Sequence, residues 1–174
     1  MYNPGGPNFR KKQKKAAKNE TKTTSAAILR ITKDMAELET YEDAKLVIPD
    51  KKNLRDFWFT IRPSRGYWEG GIFDFKFEIP MGYPYEGPKV RCVNRIYHPN
   101  IDLEGNICVN ILRPWKPVYT VQQILFGLLF LFTDPNPNDP LNTDAADVMR
   151  KDEKCFRANV NNSLRGFQVA GVHF

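Results

Sequence analysis

Between Gly71 and Ile79 the apolar residues Phe73, Phe75, Phe77 and Ile79 alternate with Ile72, Asp74, Lys76 and Glu78. A period of two sends successive side chains to opposite faces, so this stretch predicts a strand with one face buried and the other largely wet. Lys45 to Ile48, Phe57 to Ile61 and Lys89 to Val93 read as three more strands, separated by short links that contain Asp50, Asn53, Pro63, Gly66 and Pro84. Links this short suit an antiparallel meander better than crossover units.

The pattern around these strands changes to a helical period. Ile28, Ile31, Met35 and Leu38 recur at three- and four-residue steps behind Ser25, a residue type that caps helices, while Arg30, Lys33, Asp34 and Glu37 fall off the stripe. Thr120 is positioned to cap a second helix, Val121 to Phe132, which is apolar nearly all round and is therefore expected to be buried. It stops before Asp134-Pro135. Two further helices are expected over Asp144 to Arg150 and Glu153 to Leu164, the last ended by Gly166. The fold class is α+β: a four-stranded antiparallel meander sheet with an N-terminal helix, a central buried helix and two C-terminal helices. Between Tyr83 and Pro117 neither period holds, and Pro, Gly, Asn and Asp punctuate the chain. Long irregular stretches of this kind inside a compact domain are commonly functional.

Charge divides the chain in two. Of its 174 residues, those from 1 to 24 hold seven basic side chains (Arg10, Lys11, Lys12, Lys14, Lys15, Lys18, Lys22) and one acid, Glu20, which accounts for the whole net charge of +6. Residues 25–174 are balanced, so a nucleic-acid partner would have to rest on the leader alone, and none is expected. The leader is too polar to offset its ordering entropy and reads as a disordered basic extension, 1–24, ahead of one catalytic domain, 25–174. Met1 to Lys18 has no apolar signal core, and no apolar run approaches the ~20 residues of a membrane span. A protein without membrane attachment, intracellular and cytoplasmic and/or nuclear, is expected. The odd set Cys92, Cys108 and Cys155 argues against a disulfide framework, and with only His98 and His173 beside it no metal site is expected.

Cys108 stands apart from the other two cysteines. Cys92 falls in a strand and Cys155 beside Phe156 in a helix, both explained as packing, whereas Cys108 follows a Gly-containing turn in Asn106-Ile107-Cys108-Val109-Asn110. Eight residues upstream, Asn100 carries an amide able to donate a hydrogen bond to a developing oxyanion.

His98-Pro99-Asn100 with Cys108 at that spacing, Tyr83-Pro84-Tyr85 before, Trp115 and Pro117 beyond, and Asp134-Pro135-Asn136-Pro137-Asn138-Asp139-Pro140 after, together resemble the ubiquitin-conjugating enzyme family over about residues 25 to 166. Tyr97 to Asn106, Trp115-Lys116-Pro117, the Ser163-Leu164-Arg165-Gly166 ending and the basic extension look most like its neddylation branch. The resemblance implies the ubiquitin-conjugating-enzyme fold and a Cys108 thioester with a Nedd/Rub-type modifier, received from its activating enzyme and passed to a substrate lysine. It implies that Asn100 steadies the oxyanion or holds the active-site loop, and that Asp139 is the acidic gate for the incoming lysine. It makes His98, Pro99 and Trp115 structural, and gives Tyr85 and Pro117 to a RING-type ligase or the activating enzyme. Phe9 in the extension would dock the activating enzyme, cullin-type scaffolds would be substrates, and no cofactor is bound because ATP is consumed upstream. Gly87 stands where the family usually has a proline.

Three alternatives remain open at this level. Ubiquitin itself could be the donor. The chain could be an inactive binding scaffold, which the presence of Cys108 argues against, or a cysteine hydrolase using Cys108 and His98, which lacks an evident group to orient the base.

Overall fold

The computed structural model describes residues 26–108, 112 and 114–174. The basic extension, with Phe9, and the capping residue Ser25 lie outside the described residues. Helix α1 covers 26–36 and leads into strands β1 (Ala44–Val47), β2 (Asp56–Ile61), β3 (Phe73–Glu78) and β4 (Lys89–Cys92). These form one four-stranded sheet in the order β1-β2-β3-β4, every neighbouring pair antiparallel. The expected meander is therefore present, with strand bounds within two residues of the sequence reading.

Alternation decides which face of the sheet is covered. Phe57, Phe59 and Ile61 of β2 and Phe73, Phe75 and Phe77 of β3 are buried, and register pairs Phe57 with Phe77, Phe59 with Phe75 and Ile61 with Phe73. The Phe57 and Phe77 rings stack at 4.6 Å. Helix α2 (Val121–Thr133) packs on this face: Phe132 meets Phe73 at 5.0 Å and Trp68 at 5.6 Å. Thr120 caps α2 as expected, and Gln123 completes a capping box, each side chain bonding the other residue's backbone N–H. Helices α3 (Thr143–Lys151) and α4 (Glu153–Leu164) follow, capped by Asn142 and Asp152.

Three features differ from the sequence reading. The buried stripe of α1 is rotated by one residue: Ala27 and Ile31 are buried, Ile28 is 51% exposed, and Asp34 is only 2% exposed. Asp34 tolerates burial because Arg30 donates to it at 2.9 Å and the Tyr83 hydroxyl donates to its other oxygen. Helix α2 is not buried all round, since Phe126 and Phe130 are 62% and 48% exposed on the side away from the sheet. Finally, a small hairpin of β5 (Gln168–Val169) and β6 (Val172–His173) follows α4, and Phe174 beyond it meets the Tyr97 ring at 5.9 Å.

Candidate active site

The segment from His98 to Cys108 folds back on itself. Isolated bridges join His98 to Ile101 and Ile101 to Ile107, and the Cys108 N–H donates to the Asn100 carbonyl at 2.9 Å. Asp102 closes the tip by accepting from the Asn106 backbone and side-chain N–H groups at 2.7 and 2.8 Å. Gly105 has φ +82°, and a Cβ there would lie 2.0 Å from the Cys92 carbonyl oxygen, so only glycine lets the turn lie against β4. The Cys92 N–H donates to the Gly105 carbonyl at 2.9 Å, anchoring the turn to the sheet.

Asn100 links this segment to the 134–140 loop. Its Nδ2 donates to the carbonyls of Asn136 at 2.7 Å and Asp139 at 3.1 Å, and its Oδ1 accepts from the Asn136 N–H at 2.8 Å. Pro99 adds two bonds, its carbonyl accepting from the N–H groups of Leu141 and Asn142. Both amide hydrogens of Asn100 are thus engaged by backbone carbonyls. The result places the Asp139 carboxylate beside Cys108, whose Sγ lies 3.4 Å from Asp139 Oδ2.

His98 is fully buried, stacked on Trp68 with centroids 4.3 Å apart. Its Nδ1 accepts from the Asn100 N–H at 2.9 Å, which leaves the ring proton on Nε2 to donate to the Leu131 carbonyl at 3.0 Å. Burial pushes its pKa down to about 3, so the ring stays neutral. Both nitrogens hold the backbone in place, and neither is available to a substrate.

Cys108 and Asn100 open onto a cleft of about 360 Å³, walled by Gln123, Phe126, Phe130 and Leu131 of α2 and by Asp134, Asn136 and Asp139. The exposed face of α2 is therefore a wall of this cleft. Of the other thiols, Cys92 is buried in β4 and burial pushes it up to about 12, while Cys155 is exposed in the first turn of α4 and is not the packing residue expected. Among the described residues no group of three or more His, Cys, Asp or Glu side chains is placed to hold a metal ion. No described helix is long and apolar enough to cross a membrane.

The remaining candidates sit apart from the thiol. Trp115 packs on the 83–87 loop, its Nε1 donating to the Pro84 carbonyl at 2.6 Å and its ring 5.9 Å from Tyr83. Tyr85 is 81% exposed in the middle of that loop, and Pro117 is exposed with its carbonyl held by Arg30. The sequence reading missed Arg30, Asp34 and Tyr83 as a unit. The only local signal was the four-residue spacing of Arg30 and Asp34.

Comparison with known proteins agrees with this geometry. Residues 30–164 match the model of the ubiquitin-conjugating enzyme family. The NEDD8-conjugating enzyme UBC12 of Yarrowia lipolytica is 44% identical over 94% of this chain and 93% of its own length. The Nedd8-conjugating enzyme UbcE2M of Drosophila melanogaster is likewise 44% identical, over 94% and 93%. The solved structure of S. cerevisiae Ubc12 superposes with a TM-score of 0.84 at 36% identity, covering 97% of this chain and 96% of that one. With a family model spanning most of its length and relatives matched nearly end to end, the chain belongs to the ubiquitin-conjugating enzyme family.

Proposed function

We propose that this protein is a NEDD8-conjugating enzyme, which receives the modifier's C-terminal glycyl group on Cys108 as a thioester and transfers it to a substrate lysine. The observation that carries the reading is the 3.4 Å approach of the Asp139 carboxylate to Cys108 Sγ. Relatives named for NEDD8 conjugation at 44% identity over nearly the whole chain supply the choice of modifier.

In the free enzyme the thiol donates to Asp139. Loading is an exchange: Cys108 gives up its thiol proton and attacks the glycyl carbonyl of the activating enzyme's thioester, a new C–S bond forms, and the old sulfur leaves as a thiolate, the released proton passing to it or to solvent. The thioester sulfur has no proton to give, so Asp139 is then available to an incoming lysine ammonium. A lysine side chain has a reference pKa of about 10.4 and must lose a proton before it attacks. Asp139 orients the amine and helps that proton leave; nitrogen attacks the carbonyl carbon and sheds a second proton to solvent, the C–S bond breaks, and Cys108 departs as thiolate. Asn100 acts by holding the 136–139 loop, and His98 by tying the backbone of residue 100 to the end of α2 at Leu131.

Acyl exchange of this kind requires neither metal nor bound cofactor, ATP being consumed by the activating enzyme. Tyr85 and Pro117 are the candidate contacts for a RING-type ligase or the activating enzyme, with Phe9 of the extension as a further contact for the latter. Cullin-type scaffolds are the candidate substrates.

Charging with ATP, NEDD8 and its activating enzyme, run beside ubiquitin with its own activating enzyme, tests the choice of modifier. A reductant-sensitive NEDD8 adduct that forms much faster than the ubiquitin adduct is expected. Faster charging with ubiquitin would overturn the NEDD8 assignment and leave the family intact.

A further inference from the structure

Residues 115–120 run from the Cys108 region into α2, and three hydrogen bonds pin them from outside. The Trp115 indole donates to the Pro84 carbonyl at 2.6 Å. The Arg30 guanidinium supplies the other two, Nη1 to the Pro117 carbonyl at 2.9 Å and Nη2 to the Tyr119 carbonyl at 2.6 Å.

Arg30 is itself held rigidly. Its Nε donates to Asp34 Oδ1 at 2.9 Å, and its charge lies 5.6 Å from the centre of the Tyr83 ring. Tyr83 in turn donates to Asp34 and packs against Trp115. The Trp115 ring cannot shift toward the 83–87 loop, because it already fills the space a Cβ on Gly87 would need, 2.7 Å from that position. A planar guanidinium reaches three acceptors in fixed directions, which a single ammonium cannot do.

The consequence is felt at the cleft. Tyr119 immediately precedes Thr120, the cap of α2, and Thr120 is tied to Gln123 by bonds of 3.0 and 3.3 Å. Gln123 and Phe126 line the cleft with Cys108.

We propose that Arg30 is a positioning residue for aminolysis of the Cys108 thioester, fixing residues 115–120 and, through them, the first turn of α2 that walls the cleft. The inference rests on the thioester reading and concerns a residue that need not touch the reacting atoms. It predicts that Arg30 affects transfer even where no ligase or substrate protein is present.

The full chain is loaded with the modifier, further activation is stopped, and discharge to free lysine is followed below the unfolding midpoint of every variant. Arg30→Ala is expected to discharge about tenfold more slowly, in line with the sensitivity of such reactions to small misplacements. Arg30→Lys keeps the charge against Asp34 but not the three-way fork, and should fall between the two. Val160→Ala, which opens the core under α4 away from residues 115–120, controls for general loss of stability and should discharge at the wild-type rate. If Arg30→Ala fails to fold, Arg30→Lys against wild type carries the test. Wild-type rates in the Arg30 variants, or equal slowing in Val160→Ala, would overturn the inference alone. A wild-type protein that forms no thioester would overturn it together with the proposed function.

Discussion

Asn100 and Asn136 are paired twice, the Asn100 amide donating to the Asn136 carbonyl at 2.7 Å and accepting from the Asn136 N–H at 2.8 Å. One side chain thereby imitates a strand neighbour and fastens the loop carrying Asp139 to the segment carrying Cys108. Asn100 is only 2% exposed, while Asn136 lies on the exposed side of the pairing. Asn100→Ala removes these bonds, and because Asn136 is itself exposed and water can take their place in part, the cost is about 0.5–1.5 kcal/mol for each bond lost. Denaturant unfolding should show that loss, and discharge of the loaded enzyme should slow because Asp139 is no longer held. A variant that unfolds like wild type and discharges slowly would instead point to a direct role for the amide at the oxyanion.

Asp139 is exposed and contributes little to the fold beyond its carbonyl, so its carboxylate can be removed cleanly. Asp139→Asn should slow discharge to free lysine by about 100-fold, the usual scale for a positioned acid or base. Loading by the activating enzyme should change much less, since no lysine is involved. The deficit should shrink as pH rises toward the lysine pKa of about 10.4, where the amine no longer needs help losing its proton.

His98 gives a pH signature in stability rather than in rate. Its folded pKa of about 3 lies below the ordinary value of 6.5, so the unfolded chain takes up a proton that the folded chain refuses. Stability is complete above pH 6.5 and is lost as pH falls from there toward 3, by about 1.4 kcal/mol for each unit. Urea unfolding between pH 7 and pH 5 should show a steeper loss for wild type than for His98→Gln. The rate of thioester discharge should carry no inflection from this residue.

Thiol reactivity should rank by exposure. Cys155 and Cys108 should be alkylated in the native protein and Cys92 only after unfolding, because burial raises its pKa to about 12. Cys155→Ser should leave loading unchanged, and mass spectrometry of partially alkylated protein checks the order.

These predictions show which parts of the molecule are local in the sequence. Strands β2 and β3 were legible because alternation of Phe with polar residues encodes a one-faced sheet, and the α2 cap because Thr120 and Gln123 are neighbours in the chain. Asp34 was placed on the wet side of α1, as a charged residue four from an arginine ordinarily is. Its burial depends on a hydroxyl 49 residues away, which no local pattern contains. Helix α2 read as buried all round because a cleft wall and a core face are both apolar. The β5–β6 hairpin has two-residue strands, too short for any period. At the site, Cys108, Asn100 and Asp139 were legible through their motifs, while the partners that Asn100 holds were not, since they are backbone groups of the 136–139 loop.

The most direct test is the mass and reductant sensitivity of the adduct formed with NEDD8, its activating enzyme and ATP, for wild type and for Cys108→Ser. The account predicts one modifier per chain in wild type, released by thiol reductant, and in Cys108→Ser either a reductant-resistant ester or no adduct. A reductant-labile adduct that persists in Cys108→Ser would contradict it.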